Sequence, residues 1–137
     1  MKNKFLLVCL ALSMVSVSSI GLKAQTINSG GEIDDASGAK IGSIDPSSGE
    51  VDDASGSKIG SIDLSSGEID DASGSKLGSF DASSGEVDDA SGSKIGSISN
   101  GEVDDASGSK IGDAQSGVLR SWNAACYFFF FKSTFQQ

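Results

Sequence analysis

The chain has 137 residues, carries a formal net charge of −9 and contains no histidine. This length supports one domain at most. The absence of histidine excludes Ser-His-Asp triads and His-ligated metal sites, and the acidic charge argues against nucleic acid as a partner, because phosphate binding needs clustered basic side chains.

The N-terminal residues have the pattern of a secretory signal peptide. Two lysines precede a largely apolar stretch from Phe5 to Val17, and Ala24 offers a small residue just before Gln25. The stretch is interrupted by serines and is shorter than the roughly 20 apolar residues of a membrane-spanning helix. We therefore predict a signal peptide over residues 1–24, a secreted or periplasmic location, and no transmembrane segment after cleavage. An uncleaved anchor is the alternative.

Cleavage at this point would leave a strongly acidic chain with one cysteine. The remaining 113 residues contain seven Lys or Arg against all 19 Asp and Glu, a formal charge of −12. Cys9 would leave with the signal peptide, so no internal disulfide framework is possible. Cys126 is predicted to be a buried, inert thiol, with dimerisation through it as the alternative.

Five copies of one unit organise residues 31–116. Each copy reads G-E-[IV]-D-D-A-S-G-[AS]-K-[IL]-G, and the copies start at Gly31, Gly49, Gly67, Gly85 and Gly101. The unit length of 16 to 18 residues suits two short strands and two turns. Its glycines and serines and the absence of a three-and-four apolar spacing argue against helix.

The Asp-Ala-Ser-Gly sequence in each unit is typical of a type I turn, and we interpret it as a three-residue hairpin loop with a glycine bulge. In the first unit this register sets Asp34 opposite Lys40, Asp35 opposite Ala39 and Ile33 opposite Ile41. Apolar then faces apolar and acid faces base, which favours this register over a two-residue loop. The other four units repeat the pattern, with Val51, Ile69, Val87 and Val103 facing Ile59, Leu77, Ile95 and Ile111.

The connections between units explain the two unit lengths. Asn100-Gly101 is typical of a two-residue type I′ turn, which places Ile98 opposite Val103. The longer units keep that pairing across four-residue loops. Their predicted apolar pairs are Ile44 with Val51, Ile62 with Ile69, and Phe80 with Val87.

A recurrent irregularity is expected to bend the strands. Ile59 and Ile62 are three residues apart, which breaks the period of two and predicts a bulge near Gly60-Ser61 in every unit. Repeated bending should curl the array into a closed, pseudo-symmetric ring. Residues 25–30 resemble the tail of a second strand and Val118 to Arg120 the start of a first strand, so their pairing is expected to close the ring and remove exposed edges.

The C-terminal residues 117–137 are predicted to contain this closing strand and an apolar plug. Asn123 is a candidate N-cap for a short helix from Ala124 to Lys132, although the aromatic residues favour a strand equally. The repeats contribute few large apolar side chains, so packing of this segment in the centre of the ring is expected. Core packing is also expected for Trp122, and an exposed partner-binding patch is the alternative for both.

The repeats and the apolar C-terminus resemble the β-flower proteins, small exported bacterial domains with hairpin petals around a central pseudo-axis. The resemblance rests on the five units, on Ala124-Ala125 and on Phe128 to Phe131, and it covers nearly all of the chain after the signal peptide. Five copies indicate the five-fold form. The resemblance implies an all-β fold and no catalytic residues.

The repeated acids suggest a metal site. Beside each long loop an Asp faces a Glu, and like charges that face each other on a sheet are destabilising unless a hard cation such as calcium lies between them. The candidates are Asp45 with Glu50, Asp63 with Glu68, and Asp81 with Glu86. Each pair supplies only two carboxylates, so a solvated acidic rim is the alternative. The aspartates at the start of the tip turns are better explained by backbone capping.

A non-enzymatic role is expected. Near-identical carboxylate pairs in every unit argue against one special catalytic site, and the serines have no base to activate them. We therefore predict an exported binding or structural module of the cell envelope without a cofactor, with a glycan or an envelope protein as the expected partner. A calcium-binding acidic repeat protein is the alternative.

Overall fold

The computed structural model describes residues 24–136, and most of the predicted signal peptide, residues 1–24, lies outside this range. The described residues form one antiparallel sheet whose strand order equals the chain order. Its strands are β1 Thr26–Ile27, β2 Glu32–Asp34, β3 Lys40–Ile44, β4 Glu50–Asp53, β5 Lys58–Ile62, β6 Glu68–Asp71, β7 Lys76–Phe80, β8 Glu86–Asp89, β9 Lys94–Ser99, β10 Glu102–Asp105 and β11 Lys110–Asp113. A helical segment follows, with α1 at Arg120–Ala125, a π-helical turn at Cys126–Phe130 and α2 at Lys132–Phe135.

Five hairpins, which we call petals, are joined at the Asp-Ala-Ser-Gly tips: β2–β3, β4–β5, β6–β7, β8–β9 and β10–β11. At the first tip, Asp35 N–H donates to the Ala39 carbonyl over 2.9 Å, and Gly38 has a φ of 84°. Asp34 lies opposite Lys40, and each of the other four petals repeats this pairing. The predicted three-residue loop with its glycine bulge is confirmed.

The bulge in the second strand lies one residue earlier than predicted. Ile33 faces Gly42 and not Ile41, which is the extra residue between Lys40 and Gly42. The predicted bulge near Gly60-Ser61 is therefore at Ile59. This shift turns the glycine of each second strand towards the core. In the other petals Val51, Ile69, Val87 and Val103 likewise face Gly60, Gly78, Gly96 and Gly112, so their predicted partners Ile59, Leu77, Ile95 and Ile111 are wrong.

The predicted pairing between petals is confirmed. The short turn brings Ile98 opposite Val103, and Asn100 and Gly101 have φ values of 53° and 79°, as a type I′ turn requires. The long loops leave the same register, with the pairs Ile44 and Val51, Ile62 and Ile69, and Phe80 and Val87. The difference in unit length therefore lies entirely in the loops.

These apolar pairs form the wall of the core, and the helical segment lies inside it. The wall residues are at most 4% exposed: Ile27, Ile33, Ile44, Val51, Ile62, Ile69, Phe80, Val87, Ile98 and Val103. Trp122 packs into the same cluster at 4% exposure, and the small residues Ala124, Ala125 and Cys126 are completely buried. The buried positions predicted for Trp122 and Cys126 are confirmed, and burial raises the pKa of the Cys126 thiol.

Five consecutive aromatic residues in the middle of this segment, Tyr127 to Phe131, each lie against one petal glycine. A Cβ at Gly60 would be 2.2 Å from Cζ of Phe130, and the other contacts have the same form. The pairs run in opposite chain directions: Gly42 with Phe131, Gly60 with Phe130, Gly78 with Phe129, Gly96 with Phe128 and Gly112 with Tyr127. Side chains of successive residues in one helical turn point all around its axis. The sheet therefore curls around the segment, and only glycine leaves room for the rings.

The predicted closure of the ring by strand pairing is wrong. β1 pairs with β2, with Ile27 opposite Ile33, but Val118 to Arg120 form no strand and the sheet is not closed. We call the unpaired edges of β1 and β11 the seam. The helix also begins at Arg120 and not at Ala124, and its N-cap is Leu119, so the prediction of Asn123 as the N-cap is wrong.

Side chains of the helical segment form hydrogen bonds with backbone groups near the end of β11 at the seam. The Asn123 carboxamide, which is completely buried, accepts a hydrogen bond from Gln115 N–H over 2.7 Å and donates to the Gln115 carbonyl over 3.4 Å. The Tyr127 hydroxyl donates to the Asp113 carbonyl over 2.8 Å. These side chains satisfy backbone groups at the end of β11 and just after it, where no neighbouring strand lies.

Candidate functional site

The aspartates at the loops are occupied by local hydrogen bonds. In the loop after β5, Oδ1 of Asp63 accepts from Ser65 N–H at 2.8 Å, the Ser65 hydroxyl at 2.6 Å and Ser66 N–H at 3.0 Å. These bonds, led by that of the Ser65 hydroxyl, lower the pKa of Asp63 to about 2. Asp45 and Asp81 have equivalent bonds and lowered pKa values. Each long loop is thus a rigid Asx turn.

The tip aspartates make similar bonds. Asp53 Oδ1 accepts from Ser55 N–H at 2.8 Å and from Ser57 N–H at 3.0 Å. The hydrogen bond from the Ser55 hydroxyl is the largest cause of the lowered pKa of Asp53. The predicted backbone capping is confirmed for all five tip residues: Asp35, Asp53, Asp71, Asp89 and Asp105.

The glutamates have different partners. Glu50 Oε2 lies 3.3 Å from Lys58 Nζ across the same petal. The other four petals have the same pair: Glu32 with Lys40, Glu68 with Lys76, Glu86 with Lys94, and Glu102 with Lys110. The lysine therefore forms its ion pair with the glutamate diagonally across, although the aspartate lies directly opposite it. Both side chains are about half exposed, so each pair contributes little to stability.

The calcium candidates lie side by side in the backbone but bind separate groups. Asp63 N–H donates to the Glu68 carbonyl over 2.8 Å, while the Asp63 carboxylate accepts from serines and Glu68 pairs with Lys76. The same holds for Asp45 with Glu50 and for Asp81 with Glu86. Within residues 24–136 no group of three or more His, Cys, Asp or Glu is placed to hold a metal ion. Calcium binding at these pairs stays a prediction.

Two surface grooves lie between successive long loops. The first, about 490 Å³, is lined by Ser47, Ser61, Leu64, Ser65 and Asp70 among others. The second, about 450 Å³, is the equivalent space one petal further and is lined by Leu64, Ser65, Ser79, Ser83 and Asp88 among others. Both have mostly hydroxyl and carboxylate walls. The two grooves share Leu64 and Ser65, so they are adjacent.

One aspartate of the repeats lies in the wall of each groove, Asp70 in the first and Asp88 in the second. Oδ1 of Asp70 and Oδ1 of Asp88 are inaccessible to solvent and have no hydrogen-bond partner, and Oδ1 of Asp52 is in the same state. These residues are the middle acids of the units, opposite Ser43, Ser61 and Ser79 on the neighbouring strands. Sequence reasoning missed them because the same Asp occurs in all five units. In the sequence, Asp52, Asp70 and Asp88 differ from the equivalent aspartates of the other two units in that a four-residue loop precedes each of them.

The loop end of the molecule is anchored to the helical segment. Arg120, the first residue of α1, donates through its guanidinium to the Ala82 carbonyl, and the same group lies 5.5 Å from the centre of the Phe80 ring. One wall of the second groove is therefore fixed to the central helix. None of the helices between residues 24 and 136 is long and apolar enough to cross a membrane.

The fold and this arrangement define a repeat protein: an antiparallel sheet of hairpin petals curled around a helical segment. The sequence model of the 5-fold beta-flower protein family matches residues 18–131, and the chain belongs to that family. This confirms the resemblance of the five units and the aromatic C-terminus. The comparisons with curated proteins and with solved structures gave no match.

Proposed function

We propose that this chain is an exported, non-catalytic β-repeat protein that serves as a binding or structural module of the cell envelope. The observation that carries the proposal is the repetition of one rigid loop face. Three long loops of the same design, after β3, β5 and β7, follow one another around the sheet, and each is held by hydrogen bonds of its own aspartate. Rigid repeated loops lose little conformational entropy on binding and gain affinity through avidity.

The packing supports a scaffold. The C-terminal helical segment sets one aromatic ring against a glycine of every petal, which supports its role as a plug that holds the petals in place. The acidic surface disfavours anionic lipids and nucleic acid and leaves a glycan or an envelope protein as the partner. Calcium binding at the Asp–Glu pairs is the weaker alternative, since each carboxylate already has its own partner.

The test has an export arm and a binding arm. The full chain is expressed in a bacterial host with a functional secretion system, and we expect exported protein whose N-terminal sequence begins at Gln25. The purified exported protein should then co-sediment saturably with isolated cell envelopes. Unprocessed protein in the cytoplasm would contradict export, and protein that stays in the supernatant with envelopes would contradict binding.

A further inference from the structure

Gln25 is the residue that the proposed export would place at the N-terminus. Cleavage after Ala24 frees the α-amine of Gln25. An N-terminal glutamine can react with itself: the amine attacks Cδ of its own carboxamide, the bond from Cδ to Nε2 breaks, and Nε2 takes one proton of the amine and leaves as ammonia. The product is a five-membered lactam, pyroglutamate, and the step needs no co-reactant. Gln25 would therefore be a chemically defined modification site.

The backbone nitrogen of Gln25 lies at an open edge. Asn28 N–H donates to the Glu32 carbonyl over 3.0 Å, and Thr26 lies opposite Asp34. Because the backbone groups of a strand alternate in direction, Asn28 and Thr26 turn theirs towards β2, and Gln25 turns its own towards the seam. A concave space of about 410 Å³, with Gln25 in its wall, opens there. The sheet therefore does not hold the α-amine.

The carboxamide of Gln25 is held by the C-terminal helix. Gln25 is half-buried, and its Nε2 donates a hydrogen bond to the Thr134 carbonyl in α2 over 2.5 Å. The position of α2 is fixed in turn, because Phe135 is 4% exposed and its ring packs edge-on against Tyr127, with the ring centroids 5.0 Å apart. Nε2 is the atom that has to leave, and Cδ has to turn towards the α-amine. The hydrogen bond to Thr134 therefore opposes the reaction.

We infer that Gln25 is a cyclisation site controlled by folding: the unfolded exported chain forms pyroglutamate, and the contact between Gln25 and α2 keeps the folded chain in its open form. This inference rests on the proposed export and goes beyond it. Cyclisation removes the charge of the N-terminus and the donor to the Thr134 carbonyl. A chain that folds late would therefore have a neutral N-terminus and a weaker contact between its first strand and its C-terminal helix.

The test measures the loss of ammonia by mass spectrometry. A chain that begins at Gln25 is released from a fusion protein by a protease and incubated at pH 8, where roughly half of an ordinary α-amine is uncharged. The references are the same chain in urea and a peptide of residues 25–30. We expect the two references to cyclise at similar rates and the folded chain to cyclise at least about 10-fold more slowly, because its hydrogen bond has to open first. Equal rates in the folded chain and the peptide would overturn the inference.

Two matched variants test the role of α2. Phe135→Leu loosens the packing of α2 beside Thr134, and Phe80→Leu makes the same change at a buried phenylalanine in β7. Both changes nearly conserve volume, so both variants should fold. We expect the folded Phe135→Leu chain to cyclise at least about 3-fold faster than the Phe80→Leu chain. Equal rates in the two variants would show that α2 does not control the reaction.

The intact mass of the exported protein separates this inference from the proposed function. A chain that begins at Gln25 and has kept its ammonia supports both. A folded chain that begins at Gln25 but is completely cyclised overturns the control by folding, and a chain that begins at another residue removes the site, although export stands in both cases. Unprocessed protein contradicts the proposed function, whereas the rates of the fusion-derived chain still decide whether folding protects Gln25.

Discussion

The four petals from β2 to β9 and the last petal, β10–β11, differ in what lies beside their second strands. In the first four, the second strand pairs with the next petal, so its backbone groups and its glycine lie against another strand. The last petal has no following strand, and side chains of the helical segment take that place through Asn123 and Tyr127. At the open end of the sheet, the helical segment and not another strand therefore supplies the hydrogen-bond partners.

The largest effect is expected from filling the space of a petal glycine. A Cβ at Gly60 would lie 2.2 Å from Cζ of Phe130 and 2.5 Å from the Asp70 carbonyl oxygen, whereas at Gly112 the three nearest atoms all belong to the Tyr127 side chain. We expect Gly60→Ala to lower the free energy of unfolding by about 3 kcal/mol or more. Urea denaturation monitored by Trp122 fluorescence measures this.

A double-mutant cycle sharpens the comparison between the petals. Phe130→Ala should leave Gly60→Ala costly, because the strand carbonyl remains, while Tyr127→Ala should make Gly112→Ala nearly neutral. Equal rescue in the two petals would mean that the neighbouring strand does not limit the space at Gly60.

The next largest effect is expected at Asn123, which caps the seam. Asn123→Ala leaves the Gln115 N–H without its partner and creates a cavity, and we expect a loss of about 2 to 3 kcal/mol in the free energy of unfolding. The neighbouring Ser121→Ala in the same helix is the control, expected within about 0.5 kcal/mol. Hydrogen exchange measured by NMR should quicken selectively at Gln115, and unchanged exchange there would show that the carboxamide does not cap this edge.

A smaller loss is expected when the seam loses one hydroxyl. Tyr127→Phe removes the 2.8 Å hydrogen bond to the Asp113 carbonyl and should cost about 1 kcal/mol. If Tyr127→Phe leaves the melting temperature unchanged, the Asp113 carbonyl does not depend on this hydrogen bond.

Local chemistry explains which parts of this structure the sequence could predict. The tips, the long loops and the Asn100-Gly101 turn follow from residues within a few positions of one another, and their registers are confirmed. The place of the bulge at Ile59 depends on Phe130, which is far away in sequence and belongs to no repeat. The failure of closure depends likewise on Asn123, a residue that suits a helix cap as well as a buried amide.

The candidate site was the harder part for the same reason. Asp70 and Asp104 occupy identical places in their units, and only the fold shows that one oxygen of Asp70 is buried without a hydrogen-bond partner. The acids that stood out in the sequence, such as Asp63, were prominent because turns select them. Because an Asp occurs at this position in every unit, the sequence does not show which copies have a buried oxygen.

The smallest effect on stability is expected from a change in one of the long loops, at Asp63. The pKa of Asp63 is about 2 in the folded chain, below the ordinary 3.8, because the Ser65 hydroxyl and two backbone N–H groups donate to it. A carboxyl with a depressed folded pKa stabilises the fold above its unfolded pKa, and this contribution is lost as the pH falls. We therefore expect the melting temperature advantage of the wild type over Asp63→Asn to shrink between pH 4 and pH 2. The difference between the two proteins cancels the general effect of neutralising an acidic surface. A constant difference across this range would show that Asp63 is not held ionised by its loop.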